Sequence, residues 1–319
     1  MENNNLSERK RRSKERHKKK RQRQVTGIAC IAIAIVLVFS VRALVDIADK
    51  QNVPVVNIDS SVEKYSSEDS DNSDNSVTYS DYDNDLPEKV EGIAALWYYD
   101  EFLVSRYEAF RILNPDLTDE EICWMVGCDL DLGPYEQTSE VPDPNDILLL
   151  VNKHFYLPAG YEPSDLISVG NTKMRKEAGE AMQEMIGDAA KEGLNLWSQS
   201  GYRGYGLQER LFNDYSASDG IKAAETYSAR PGYSEHQTGL TTDLNTITHA
   251  FGDTAEGKWV AENCWMYGYI IRYTAENSPV TLYMPEPWHM RYIGKDAAKR
   301  MHDENIQSFE EYWVKYVKL

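Results

Sequence analysis

The sequence is short of the residues that would define several function classes at once. Four cysteines among 319 residues are too few for a disulfide-stapled scaffold. One of them, Cys30, sits in an apolar run, which leaves an odd three elsewhere. Cys123 and Cys128 are close enough in sequence to pair, and Cys264, in ENCWMYG, reads as a small core residue on a helix. There is no glycine-rich phosphate loop and no internal repeat, so nucleotide-binding and solenoid readings lose their usual support. Histidine is scarce too, six in all, and any imidazole chemistry must come from a short set of candidates.

Long apolar runs are equally scarce, and the single one is informative. Val25–Val45 reads VTGIACIAIAIVLVFSVRALV, broken only by Arg42. As a helix it would rise about 31 Å, close to the hydrocarbon thickness of a bilayer. Residues 1–24 hold eleven Lys/Arg against three Glu, a net +8, so the rest of the chain carries −26. By the positive-inside rule the basic tail (1–24) stays in the cytoplasm, the span (25–45) is an uncleaved signal anchor, and everything after it lies outside the cell membrane. A cleaved signal peptide fits less well, because the run is long and no small-x-small site follows it closely. The adjacent span accounts for the basic run without a nucleic-acid partner. Residues 46–92, dense in Ser, Asp and Asn, cannot bury enough surface to fold and read as an acidic disordered linker.

Folded sequence is expected from Ile93. LWYYDEFLVSRYEAFRILNP has apolar residues at helical spacing, and LTDEEICWMVGCDL opens with a capping box, Thr118 and Glu121. ILLLVNKHFYL reads as a strand. Residues 93–150 are therefore expected to form a small helical region packed on the domain that follows, 151–319. There an amphipathic helix is expected from Thr172, with Met174, Ala178, Met182, Met185 and Ala189 on one face. Strands are expected at LNLWSQS, LTTDLN, YIIRY, VTLYM and WHMRYI, separated irregularly by helices such as LQERLFNDY, TAEGKWVAENCWMYG, GKDAAKRMH and FEEYWVKYV. Strands and helices without regular alternation predict an α+β fold with a largely antiparallel sheet.

His17, His154, His249 and His302 have ordinary surroundings. His236 and His289 do not. In SEHQTGLTTD, Gly239 permits a sharp turn; if LTTDLN is a strand, Asp243 swings back to where His236 points. Thr241, Asp243 and Asn245 then share a face. The second histidine arrives in EPWHMRY, with Glu286 three residues ahead of His289. Two histidines and one carboxylate with an open fourth position form a hydrolytic zinc site, and a nearby glutamate outside the ligand set supplies a general base. Either motif alone is weak, since a His–Asp pair is more often a structural hydrogen bond.

Three blocks, SGYRGYGLQ, PGYSEHQTGLTTD and EPWHMRYIG, in this order, resemble the signature of the VanY-like D-alanyl-D-alanine carboxypeptidases, zinc peptidases that share their fold with the Hedgehog signalling domain. The likeness runs from about Leu148 to the C-terminus. It implies His236, Asp243 and His289 as zinc ligands, Glu286 as catalytic base, and Arg203, Gln208 and Ser234 as residues that meet the substrate, with Arg203 on either the terminal carboxylate or the oxyanion. Trp288, Tyr292 and Tyr233 are candidates for the cleft wall. Gly204 and Thr241 depart from the pattern, which has serine and alanine there. The activity implied is removal of the terminal D-alanine from peptidoglycan stem peptides. An L,D-carboxypeptidase acting on tetrapeptides uses the same site, and a non-catalytic wall-binding module would use the same fold; retention of Glu286 argues for an enzyme. Nothing in the sequence speaks to oligomeric state.

Overall fold

Helix α1 (Glu88–Ala94) opens the part of the chain that the computed structural model describes, residues 88–318, and starts five residues ahead of Ile93. The basic tail, the apolar segment 25–45 and the stretch up to residue 87 lie outside the described residues, and so does the anchor expected there. Among the described residues no helix is long and apolar enough to cross a membrane.

The helix expected over LWYYDEFLVSRYEAFRIL is shorter than its apolar spacing suggests. Asp100 accepts from the backbone of Phe102 at 3.0 Å and starts a 3-10 turn, Glu101–Leu103, before α2 (Val104–Leu113); an Asp at this position favours a new helix start over continuation. Helix α3 (Asp119–Gly127) has the expected capping box: Thr118 Oγ1 accepts from the Glu121 N–H at 3.2 Å, and Glu121 accepts from the Thr118 N–H at 2.8 Å. Cys123 and Cys128 do not pair. Cys123 is inside the helix and Cys128 caps its end, five residues on, and their side chains leave in different directions. Cys123 faces Tyr98 and Tyr107, while Cys128 turns back to the Trp124 carbonyl at 3.2 Å. Burial pushes the Cys123 thiol up to about 11.

Most of ILLLVNKHFYL is buried but is not a strand. Only Phe155–Tyr156 (β2) pairs, in parallel with Ser139–Glu140 (β1). Side chains have taken over the backbone groups a ladder would use. Arg291 Nη2 donates to the Ile147 and Leu149 carbonyls, and Asn152 Oδ1 accepts from the N–H groups of His154 and Phe155. The next expectation also shifts. Thr172 begins not a helix but β4 (Thr172–Arg175), the second arm of a hairpin with β3 (Leu166–Val169) turned at Gly170, whose φ is +58°. Helix α4 runs from Lys176 to Lys191 and buries Ala178, Ala181, Met182, Met185 and Ala189. Burying a methionine side chain is worth about 1.5–3 kcal/mol.

The central sheet combines β5 (Ser198–Ser200), β6 (Thr241–Leu244), β7 (Tyr269–Tyr273) and β8 (Glu286–Tyr292) in the order β5-β6-β8-β7, each neighbour antiparallel. Helices α5 (Tyr205–Asp219) and α6 (Ile221–Ala224) join β5 to β6, and α7 (Ala255–Asn263) precedes β7. VTLYM is not a strand: Pro279 in the first turn sets a short helix, α8 (Ser278–Thr281), and Asn277 Nδ2 ties it to the Arg272 and Gln307 carbonyls. Helices α9 (Lys295–Asp303) and α10 (Phe309–Tyr316) close the chain. One core lies between the sheet and α4. The second is formed by Ile93, Tyr107, Ile122 and Val126 from the N-terminal helices against Ala298, Met301, Phe309 and Val314 from the C-terminal ones. The fold is thus α+β with an antiparallel main sheet.

Gly257 in α7 sets one testable limit. Alanine improves helix propensity over glycine by about 1 kcal/mol. Here a Cβ would lie 2.0 Å from the Phe251 carbonyl oxygen, a backbone atom that also accepts from Thr254 Oγ1. The clash wins: Gly257→Ala should destabilise the protein by about 1–3 kcal/mol, and an unchanged or raised melting temperature would contradict this.

Candidate metal centre and cleft

The site is made where β6 and β8 lie side by side. Their register sets Asp243 opposite His289, so two side chains far apart in sequence share one face of the sheet. His236 comes from the 3-10 turn Glu235–Thr238 just before β6. That turn ends on Gly239 with φ +70°, a left-handed conformation that lets the chain reverse into the strand. The spacing between His236 and Asp243 is therefore the length of one turn and one reversal.

Glu286 and His289 are three apart, which on a regular strand would put them on opposite faces. The ladder is not regular there. Ile271 pairs with Met290, so Tyr273 should pair with Trp288, yet it pairs with Glu286. This bulge lies between Glu286 and Met290, a stretch that includes Pro287 with no N–H to offer the ladder, and Glu286 comes to the same side as His289. Their atoms approach to 3.4 Å, Glu286 Oε2 to His289 Nδ1.

All four groups are buried. His236 Nε2 lies 3.4 Å from Asp243 Oδ2, and His289 Nδ1 lies 3.2 Å from Asp243 Oδ1. His236 Nδ1 sits 2.8 Å from the Gly201 carbonyl; a carbonyl only accepts, so Nδ1 carries the proton and the Nε2 lone pair faces Asp243. One donor atom from each of His236, Asp243 and His289 falls within 4.8 Å of the others, and Asp243 Oδ1 is buried without a hydrogen bond. A tetrahedral zinc with bonds of about 2.0 Å needs donors about 3.3 Å apart, close to the two His–Asp separations here. The electrostatics agree. Burial alone would lower the His289 pKa, but Asp243, Glu235 and Glu286 draw it up to about 9. Burial would raise Asp243, yet His236 and His289 hold it well below the usual carboxylate range. The cluster asks for positive charge at the meeting point of its donors, and a divalent cation fits it.

Burial pushes the Glu286 carboxyl up to about 7, opposed by His289 and Arg203 and aided by Asp243. Arg203 follows β5 and is anchored twice: its N–H donates to the His236 carbonyl at 3.1 Å, and its Nε donates to Gln208 Oε1 at 2.6 Å. Gln208, on α5, is buried, and its Nε2 donates to Ser228 Oγ at 3.3 Å and the Ala229 carbonyl at 2.6 Å. Its amide protons are thus spent on the protein and its oxygen on Arg203, while the side chain still lines the cleft. Ser234 lines the cleft beside them.

Of the three aromatic candidates, only Trp288 lines the cleft. Tyr292 points into the core, with its hydroxyl on Glu177 at 2.7 Å, and Tyr233 packs on Tyr135 and Tyr156. The cleft aromatics are instead Tyr215, Tyr227, Tyr273 and Tyr283, which no motif marked out. Tyr273 could have been found from its place at the end of YIIRY, next to the bulge. Glu235 stands beside His236 in the SEH motif, but its neighbourhood is set by β7 and β8 and is invisible locally. Gly204 and Thr241 are not among the residues lining the cleft. His154 is buried elsewhere, His302 stacks on Trp265, and His249 packs edge-on against Trp288.

Adding zinc should raise the melting temperature of the protein, since a ligand at a hundred times its Kd contributes about 2.7 kcal/mol to the folded state. His236→Ala and Asp243→Asn should each abolish the rise together with stoichiometric metal measured by mass spectrometry. A wild-type protein that gains neither would rule out the metal centre.

Comparison with known proteins agrees with this geometry. Residues 171–295 match the family model described as VanY: D-alanyl-D-alanine carboxypeptidase. YodJ of Bacillus subtilis (strain 168), a provisional carboxypeptidase, is 40% identical over 205 residues, covering 59% of this chain and 75% of YodJ. The D-alanyl-D-alanine carboxypeptidase of Enterococcus faecium is 35% identical over 175 residues, covering 54% of this chain and 53% of that protein. Among solved structures, the LdcB LD-carboxypeptidase, described with the molecular basis of its peptidoglycan recognition, aligns at TM-score 0.53 and 41% identity, over 56% of this chain and 91% of LdcB. With the donor triad, the neighbouring glutamate and the paired arginine in place, the chain belongs to the VanY family of D-alanyl-D-alanine carboxypeptidases.

Proposed function

We propose that this protein is a zinc-dependent carboxypeptidase that releases the terminal D-alanine of peptidoglycan stem peptides, acting on the D-alanyl-D-alanine bond. The observation that carries the proposal is the position of Glu286: buried, 3.4 Å from His289 Nδ1, and in the same cleft as Arg203. His236 Nε2, an Asp243 oxygen and His289 Nδ1 would hold the ion. A bound zinc supplies Lewis acidity, polarising a carbonyl and lowering the pKa of water to about 7. Glu286 takes the proton from the attacking water on its carboxylate and delivers it to the departing amine. The Arg203 guanidinium, aimed by Gln208, meets the terminal carboxylate or the developing oxyanion with paired hydrogen bonds. Trp288, Tyr273 and Tyr283 narrow the cleft and keep bulk water from these charges.

A second reading keeps every residue and changes the bond, an L,D-carboxypeptidase on stem tetrapeptides. The likeness to LdcB at 41% identity over 91% of its length favours it specifically. A non-catalytic wall-binding module is disfavoured by Glu286, which binding would not require. The proposal also includes the Hedgehog/DD-peptidase type of fold and a single-pass anchor at residues 25–45 with the N-terminus in the cytoplasm. A linker over 46–92 would then carry the helical region 93–150 and the peptidase domain 151–319 towards the wall. The anchor is supported by the apolar run and its basic flank.

Glu286→Gln preserves shape but cannot accept a proton, so turnover should fall about 10²–10⁴-fold with zinc still bound; a loss under tenfold means another base. Substrate identity is read from defined stem peptides by mass spectrometry. A pentapeptide ending in D-Ala-D-Ala should lose one D-alanine, and its C-terminal amide should be cut far more slowly. Faster release from a tetrapeptide supports the L,D reading. Equal cleavage of acid and amide overturns recognition of a free C-terminus.

A further inference from the structure

Behind His289, on the side away from the donor triad, lies a glutamate that the chemistry above does not use. Glu235 is the residue next to His236 and is fully enclosed. One of its oxygens is fully committed: Oε1 accepts from Arg272 Nε at 2.8 Å and from Arg291 Nη1 at 3.2 Å. The other, Oε2, is buried with no hydrogen bond among the described residues, and the same is true of His289 Nε2. These two unpaired atoms face each other at 3.5 Å. A proton on Nε2 would let each satisfy the other.

We propose that Glu235 is the positioning residue for His289: it accepts the proton on Nε2, fixes the ring, and leaves the Nδ1 lone pair for the metal. This rests on the zinc reading of the site. A metal-ligating imidazole commonly gives its other N–H to a carboxylate or carbonyl, which sets tautomer and ring orientation. His236 is treated this way by the Gly201 carbonyl, on the opposite nitrogen. His289 has no carbonyl partner, and Glu235 fills that place.

The carboxylate in turn is held by groups that can only donate. Arg272 is clamped by Glu310 through two bonds, Nη1 to Oε2 at 3.0 Å and Nη2 to Oε1 at 2.6 Å. Arg291 is fixed by the Ile147 and Leu149 carbonyls, at 3.0 and 2.8 Å. Guanidinium donors on Oε1 leave the carboxylate one orientation, with Oε2 toward His289. The arrangement is directional, and that makes it testable.

In Glu235→Gln the side-chain oxygen must stay with the arginines, so the amide donors face His289 Nε2. The imidazole is then pressed to keep Nε2 bare and to protonate Nδ1, the wrong tautomer for ligation. In the full-length protein, zinc affinity measured by competition with a chelator should fall about 10–100-fold. Nitrogen-15 NMR of labelled histidine should find, in zinc-loaded wild type, His289 as the Nε2–H tautomer with Nδ1 on the metal. Loss of packing alone would lower the stability of the metal-free protein and leave the tautomer unchanged. A variant that folds and binds zinc as tightly as wild type overturns the proposal. Should the variant not fold, the wild-type spectrum decides: a His289 that carries its proton on Nδ1, or ligates through Nε2, overturns it while the zinc reading stands. Wild type that takes up no zinc sinks both.

Discussion

Three buried carboxylates, Asp243, Glu286 and Glu235, surround the single imidazole of His289, and enclosed negative charge is what the surrounding structure must answer. An ionised carboxylate taken from water and left alone is too costly to keep. Each of the three is answered differently. Glu235 is held well below the usual carboxylate range by two arginines, Asp243 also lies low in its place between two imidazoles, and burial brings Glu286 up to about 7. The division leaves two carboxyls in surroundings that favour the anion and one in surroundings that work against it. Placement decides this, since all three belong to the same chemical type.

The compensation reaches well beyond the cleft. Glu310, on the last helix, is hydrogen bonded by Asn152 Nδ2 as well as by Arg272, and Arg291 takes the carbonyls of residues 147 and 149. Two arginines and two glutamates make the group neutral as a whole. Removing one partner from such a set commonly costs about 3–5 kcal/mol, while replacing the whole by apolar residues is often no loss at all. The network is therefore poor evidence for stability and better understood as a device for direction. It also explains why 147–154 is buried yet irregular: the carbonyls a strand would spend on a neighbour are spent on guanidinium groups.

The centre of the site was legible because its signals are short-range. His236 and Asp243 are separated by one glycine-closed turn, and Glu286 precedes His289 within one strand, so spacing and residue type carried the information. The resemblance of three ordered blocks then added Arg203 and Gln208. The misses share one cause. Thr172–Arg175 has helical periodicity but is claimed by a hairpin partner, and VTLYM has strand composition but begins beside Pro279 and is tied down by Asn277. In both places a tertiary or turn constraint overrode a weak local propensity. The aromatic wall was hidden for a related reason, because Tyr273 and Tyr283 meet the cleft only through the β7–β8 pairing, and Tyr292 is drawn away from it by Glu177.

Glu235 shows the boundary most sharply, since it sits inside the best motif in the chain and still could not be assigned. Its neighbour His236 projects towards the donor cluster, while Glu235 projects towards Arg272 on β7 and Arg291 on β8. The one arginine nearby in sequence, Arg230, pairs with Glu225 instead, so the meaning of Glu235 depends on which strands become its neighbours. The β6–β8 register that sets Asp243 against His289 also sets Thr241 against Arg291. A slip of that pairing would disperse the candidate metal donors and the buried ion pairs together, because one residue of register turns every side chain to the other face. The donor cluster and the buried ion pairs are thus two consequences of one strand alignment, with His236, Asp243 and His289 on the cleft side and Glu235, Arg272 and Arg291 enclosed behind them.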